Sequence, residues 1–253
     1  MKKFKFLVAV CCMAAVFAAC EKNEPSDNTN GNGVNTDQND GNSNSGNNNA
    51  TDTDTANGHD YVDLGLSVKW ATCNVGATKP EEYGSYYAWG ETEPKTTYNW
   101  STYKWCNGSK TTLTKYNIEG DYGTLDNKIV LELEDDAAAV NWGGKWRMPT
   151  DAEWTELREN CTWIWTDDYN GTGVKGRIVT SNINDNSIFL PAAGYRVSDV
   201  WSDAGYLGGY WSSSLYTGSP DRAWYVVFSS DILNWNNYYR YWGMPVRPVL
   251  FGE

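Results

Sequence analysis

Histidine is nearly absent from this 253-residue chain: His59 is the only one. A Ser-His-Asp or Cys-His nucleophile would have to use it. It stands where a polar leader gives way to the folded part, a place where a solvated residue is expected. Lys, Glu, Gln and His are all missing between Val197 and Gly252. Lys and Arg together number 20 against 32 Asp and Glu, a net charge of −12. That balance argues against a nucleic-acid partner, since phosphate binding needs clustered cations. Beyond the leader, cysteine is reduced to Cys73, Cys106 and Cys161, and none has CxxC spacing. Neither a zinc site nor a disulfide framework is supported. One disulfide could form, and the sequence does not choose the pair. The acidic pairs Asp135/Asp136 and Asp167/Asp168 are adjacent in the chain and so project in different directions, unlike facing glycosidase carboxylates. Capping and turn roles are expected for them. No catalytic residue, metal or cofactor is expected.

What is present begins with an export signature. Lys2, Lys3 and Lys5 precede an apolar run from Phe6 to Ala19, too short to span a membrane as a helix. The run ends Ala18-Ala19-Cys20, which resembles the lipobox of bacterial lipoproteins. That resemblance makes residues 1–19 a signal peptide and Cys20 the lipidated first residue of an outer-membrane lipoprotein exposed at the cell surface. Residues 20–58 are dominated by Asn, Asp, Gly, Ser and Thr. Such a composition cannot bury enough apolar surface to offset ordering its backbone, which predicts a flexible tether. Residues 59–253 remain, enough for one packed domain.

Within that domain, alternation around Gly65 predicts two short strands. From Gly76 to Lys115, aromatic residues are mixed with Gly, Pro, Thr and Asn, which predicts long ordered loops. A first helix is expected over Leu133–Val140, led by acids. A second follows Thr150, whose spacing from Glu153 matches a capping box, with Trp154 and Leu157 on its core face. Later strands are expected at Arg177–Val179, Ser187–Leu190 and Ala223–Phe228, with a closing strand in Val246–Leu250. The fold class is α+β: two helices, a twisted antiparallel sheet and long loops.

The block Arg147-Met148-Pro149-Thr150-Asp151-Ala152-Glu153-Trp154 resembles the signature of the formylglycine-generating enzyme family, a branch of the C-type lectin fold. It is similar above all to the Fibrobacter succinogenes major paralogous domain of Bacteroidota lipoproteins. Leu190–Arg196, Gly209–Ser214 and Arg240–Val249 extend the likeness over most of the domain. The resemblance implies a C-type-lectin-like fold, and with it a scaffold role for Arg147, Trp154, Arg196, Arg240 and Arg247. It does not carry the enzymatic activity over: the late cysteine pair that the reaction needs has no counterpart after Cys161. The calcium-binding strings of sugar-binding relatives are also broken, at Glu93-Pro94-Lys95 and Asn234-Trp235-Asn236-Asn237, and calcium needs six to eight oxygen ligands.

The segment from Tyr206 to Trp242 is dense in Trp and Tyr with Asn, Ser, Asp and Gly between them, the composition of antibody paratopes. Alternation along Ala223–Phe228 puts Trp224 and Phe228 in the core and Tyr225 on the opposite face. The expected ligand-binding face is Leu215, Tyr216, Tyr225, Asp231, Leu233, Trp235, Asn237, Tyr239 and Trp242. Apart from Trp235, Leu215–Asp221 and Ser229–Tyr241 contain only residues reachable by randomising the adenines of an Asn codon. Target proteins of diversity-generating retroelements are built in that way. The function expected is therefore adhesin-like binding of a protein or glycan outside the cell. A structural subunit of a surface complex, and an enzyme with altered chemistry, are the alternatives.

Overall fold

The computed structural model describes residues 52–251; the signal segment, Cys20 and most of the tether lie outside them. The first element, β1 (Thr53–Ala56), falls inside the stretch expected to be tether. It pairs with β2 (His59–Val62) so that Ala56 faces His59 across Asn57-Gly58. Both turn residues have positive φ, 48° and 81°, as a two-residue hairpin of this hand requires. The ordered chain thus begins before the expected boundary at residue 59. After Gly65 comes β3 (Val68–Ala71), and then a long loop region that contains only single-turn helices.

The acids at 134–136 do not lead one continuous helix. Leu133–Asp135 form a single 3-10 turn, and α1 runs Ala137–Trp142. Asp136 sits between them in extended conformation and accepts hydrogen bonds from the Ala138 and Ala139 amides. A capping residue lies outside the helix it starts, so the helix begins four residues later than expected. Next are β4 (Trp146–Arg147) and α2 (Asp151–Asn160). Thr150 and Glu153 cap α2 reciprocally, at 3.2 and 2.8 Å. Trp154 and Leu157 are fully buried, a contribution of about 2 kcal/mol for the leucine.

The rest of the chain is antiparallel β structure. β5 (Cys161–Thr166), β6 (Gly176–Ser181) and β7 (Ser187–Pro191) form one sheet, and β8 (Tyr195–Val197) and β9 (Val200–Ser202) a hairpin. β10 (Gly208–Leu215), β11 (Arg222–Phe228) and β12 (Leu233–Tyr239) form another sheet in that order. β13 (Val249–Phe251) inserts between β3 and β4, giving the order β1-β2-β3-β13-β4. The whole is α+β with antiparallel sheets.

Two apolar clusters cover the opposite faces of β10 and β11. Tyr210, Val226 and Phe228 join Trp70, Trp154 and Leu157 on one side. Trp211, Tyr225 and Val227 join Trp89, Tyr116 and Trp146 on the other. Two arginines are fully buried without a carboxylate partner. Arg247 donates to Asn74 Oδ1 and to the carbonyls of Ala71, Thr72 and Phe189, at 2.9–3.0 Å. Arg240 donates to the Tyr103 hydroxyl and to the carbonyls of Tyr116, Pro220 and Lys115. A planar five-donor fork can be satisfied by carbonyls alone, and here it ties loops to the sheets.

Candidate functional site

β11 is the central strand of its sheet, and β12 pairs only with β11 among the described residues. The register sets Arg222 opposite Tyr239, Trp224 opposite Asn237 and Val226 opposite Trp235. Directly paired residues share a face, so Arg222, Trp224, Asn237 and Tyr239 form one patch. Tyr216 meets Trp224 edge-on at 4.9 Å. Arg222 donates to Asn237 Oδ1 at 3.2 Å, and its guanidinium lies 5.0 Å over the Tyr239 ring. Tyr239 stacks with Tyr241 at 5.8 Å, and Trp100 closes on both rings, at 5.9 and 4.9 Å. All seven side chains are half-buried. They form a continuous ledge of rings, one guanidinium and one amide.

The expected face is only partly realised there. Tyr216, Asn237 and Tyr239 come together on the ledge. Leu215 and Tyr225 are core instead, 2% and 7% exposed. The alternation argument assumed one solvent face for β11, but both of its faces are covered. Tyr225 packs edge-on against Trp211 at 5.9 Å, and burial pushes its phenol up to about 12. Trp224, expected in the core, is half-buried on the ledge. Asp231 is exposed in the turn between β11 and β12, at the far end of β12 from the ledge. Leu233 and Trp235 lean on the core; Trp235 meets Trp154 edge-on at 6.4 Å, with Arg158 5.9 Å over its ring. Trp242 stacks with Tyr195 at 4.4 Å and meets Tyr238 at a tilt, at 3.7 Å.

Sequence reasoning missed Arg222, Trp224, Tyr241 and Trp100. Arg222 and Trp224 become legible once the β11–β12 register is known. Trp100 comes from a loop far away in the chain, and nothing local announces it. The Arg222 Nε and the indole nitrogens of Trp235 and Trp242 are buried without a hydrogen-bond partner. Packing alone holds the two indole nitrogens, whereas the Arg222 guanidinium is still fixed by its bond to Asn237.

Other clusters are occupied by the protein itself. The carboxylates of Glu132, Glu134 and Asp135 lie within metal-binding distance of one another. Lys115 Nζ sits among them, at 2.6, 3.1 and 2.6 Å, so an ammonium fills the cation position. Asn234 and Asn236 each use their side-chain oxygen on the next backbone amide, Trp235 and Asn237, at 2.9 Å. Asp167 binds Lys175 at 3.2 Å and the Trp165 indole at 3.1 Å, and Asp168 accepts from the Gly173 amide at 2.6 Å.

His59 is not the solvated edge residue expected: it stacks flat on Trp142 at 3.8 Å, and burial lowers its pKa. Cys73, Cys106 and Cys161 are free thiols. Burial pushes the thiols of Cys106 and Cys161 up, the latter to about 12. Comparison with known proteins finds no matching family, no matching curated protein and no matching solved structure.

Proposed function

We propose that this chain is a surface-displayed outer-membrane lipoprotein, anchored through Cys20, that binds a protein or glycan ligand and catalyses nothing. The observation that carries the binding reading is the continuous ledge of Tyr216, Arg222, Trp224, Asn237, Tyr239, Tyr241 and Trp100. Trp, Tyr and Arg dominate binding energy at protein interfaces. Here sheet strands and mutual ring contacts hold them, so little side-chain freedom is left to lose on binding. The carboxylates described above serve caps, turns and ion pairs, which supports binding over catalysis.

A C-type-lectin-like fold is part of the proposal. What supports it is that the four blocks of the sequence resemblance meet through direct hydrogen bonds. Trp154 Nε1 donates to the Trp211 carbonyl, the Ser213 amide to Pro149, the Tyr210 hydroxyl to Pro191, and the Arg196 amide to Gly243. Diversification by a retroelement belongs to the same reading. It is supported by the ledge drawing Tyr216, Asn237, Tyr239 and Tyr241 from the adenine-accessible segments. A second copy of that coding segment, differing at its adenines, is the genomic observation expected.

The test is a glycan and protein array probed with the intact domain and with a Tyr216→Ala/Trp224→Ala/Tyr239→Ala variant. Array hits should disappear in the variant, with its melting temperature within a few degrees of the parent. Hits that survive would remove the ledge as the binding face. Stable self-association of the parent through the ledge, with no hits, would favour an assembly subunit instead.

A further inference from the structure

Six of the seven arginines have a polar partner. Arg147 pairs with Glu153, Arg158 with Glu159, Arg222 with Asn237, and Arg177, Arg240 and Arg247 with backbone carbonyls. Arg196 has none among the described residues. Its backbone is pinned on both sides, donating to the Gly243 carbonyl at 2.7 Å and accepting from the Gly243 amide at 2.9 Å. Its guanidinium lies 5.1 Å from the Tyr86 ring centre and 5.8 Å from that of Trp201. Those rings are fixed in turn: Trp201 Nε1 donates to the Tyr86 hydroxyl at 2.8 Å and to the Ala193 carbonyl at 3.1 Å. Rings of this kind orient a guanidinium by cation–π attraction and leave its N–H fork unused.

Arg196 lines a cleft of about 510 Å³ with Tyr86, Lys95, Thr96 and Asp199. The Lys95 ammonium is already engaged by Glu91 and the Thr102 carbonyl, at 2.8 and 2.9 Å. Asp199 is exposed and lines the same cleft, with no ion pair to Arg196 among the described residues. One free guanidinium and one free carboxylate therefore face the same cleft. Trp201, next to Arg196, keeps 47% of its surface exposed. A single guanidinium matches a monoanionic carboxylate in charge and in planar geometry. A carboxylate acceptor suits hydroxyl donors, as a sugar ring presents them.

We infer that the Arg196 cleft is a second binding site, separate from the ledge, for an acidic sugar of the uronate class. Arg196 takes the sugar carboxylate in a two-pronged hydrogen bond and Asp199 accepts from ring hydroxyls, while Trp201, outside the cleft lining, holds Arg196 in place. The sequence resemblance assigned Arg196 to the scaffold; its unpaired side chain makes it a ligand-reading residue.

The test is calorimetric titration of the intact domain with a trigalacturonate, its fully methyl-esterified form and a neutral galactose trimer. The free acid should bind, and the ester and the neutral trimer about tenfold or more weaker, the usual cost of losing a charge-assisted hydrogen bond. Arg196→Gln should weaken the acid by a similar factor. Asp199→Asn, at an exposed position that leaves the packing alone, should weaken it severalfold while the arginine remains. Tyr239→Ala on the ledge should leave this binding unchanged, which separates failure of this site from failure of the ledge. Equal binding of acid and ester, no binding of the acid by the parent, or binding of a free amino acid in its place would overturn the inference.

Discussion

Single side chains decide which rings bind and which hold the protein together. Tyr225 and Tyr239 share a chemistry and a sheet, yet Tyr225 is sealed against Trp211 while Tyr239 is half open beside Arg222. Tyr225→Ala should cost about 3–5 kcal/mol in urea unfolding, as for other large aromatics removed from cores. Tyr239→Ala should cost about 1 kcal/mol or less. Similar losses for the two would place Tyr239 in the core as well. Asp136 makes a pH-dependent contribution of unusual sign. Burial raises its carboxyl from 3.8 to about 6, against the opposing pull of the Ala139, Met148 and Ala138 amides and of Arg147. Below pH 3.8 both the folded and the unfolded chain hold the proton. As pH rises towards 6 the unfolded chain releases it first, so stability falls across that window, by on the order of 3 kcal/mol. The Asp136 side-chain carbonyl ¹³C shift should titrate near pH 6; a midpoint below 4 would mean that the amide donors outweigh burial. Glu153 runs the other way: the Arg147 pair and the Thr150 amide outweigh burial and lower its pKa. Its contribution is present at neutral pH and is lost as pH falls through its folded value.

At the scale of elements, the capping box of α2 was fully legible, because Thr150 and Glu153 are local signals that tertiary packing did not override. The start of α1 was not. A run of acids marks a helix amino terminus, but which acid turns inward to cap is decided by burial, and Asp136 also accepts from the distant Met148 amide. β12 shows how an edge strand is protected. Asn234 and Asn236 occupy the amides of Trp235 and Asn237, two residues apart and so on one edge of the strand. Asn234→Val/Asn236→Val should free those donors and raise β propensity together. Sedimentation velocity should then show stronger concentration-dependent association than the parent domain shows. A variant that sediments like the parent would show that the asparagines do not guard the edge.

For the whole molecule, the amino-terminal boundary has a measurable consequence. Cutting the chain at His59 removes β1 and also the acceptor for the Trp146 indole, the Ala56 carbonyl at 3.0 Å, together with the Asn57 side-chain bond to the Trp142 carbonyl. A domain starting at Asp52, the first described residue, should melt about 3–8 °C higher than one starting at His59. Equal melting temperatures would make β1 an ornament. Asn57-Gly58 is a hairpin signal that the tether reading passed over, because the polar composition around it hid the strand: β1 gains its stability from pairing with β2 and not from apolar content of its own. By itself the sequence determined the antiparallel α+β class, the α2 cap, the two strands around Gly65 and the aromatic carboxy-terminal third, because periodicity, caps and turns are local. The tertiary structure alone decided that both faces of β11 are covered, that Leu215 and Tyr225 belong to the core, and that Trp100 and Arg222 complete the ledge. Burial is a property of what packs against a residue, and those partners come from segments that no local pattern connects.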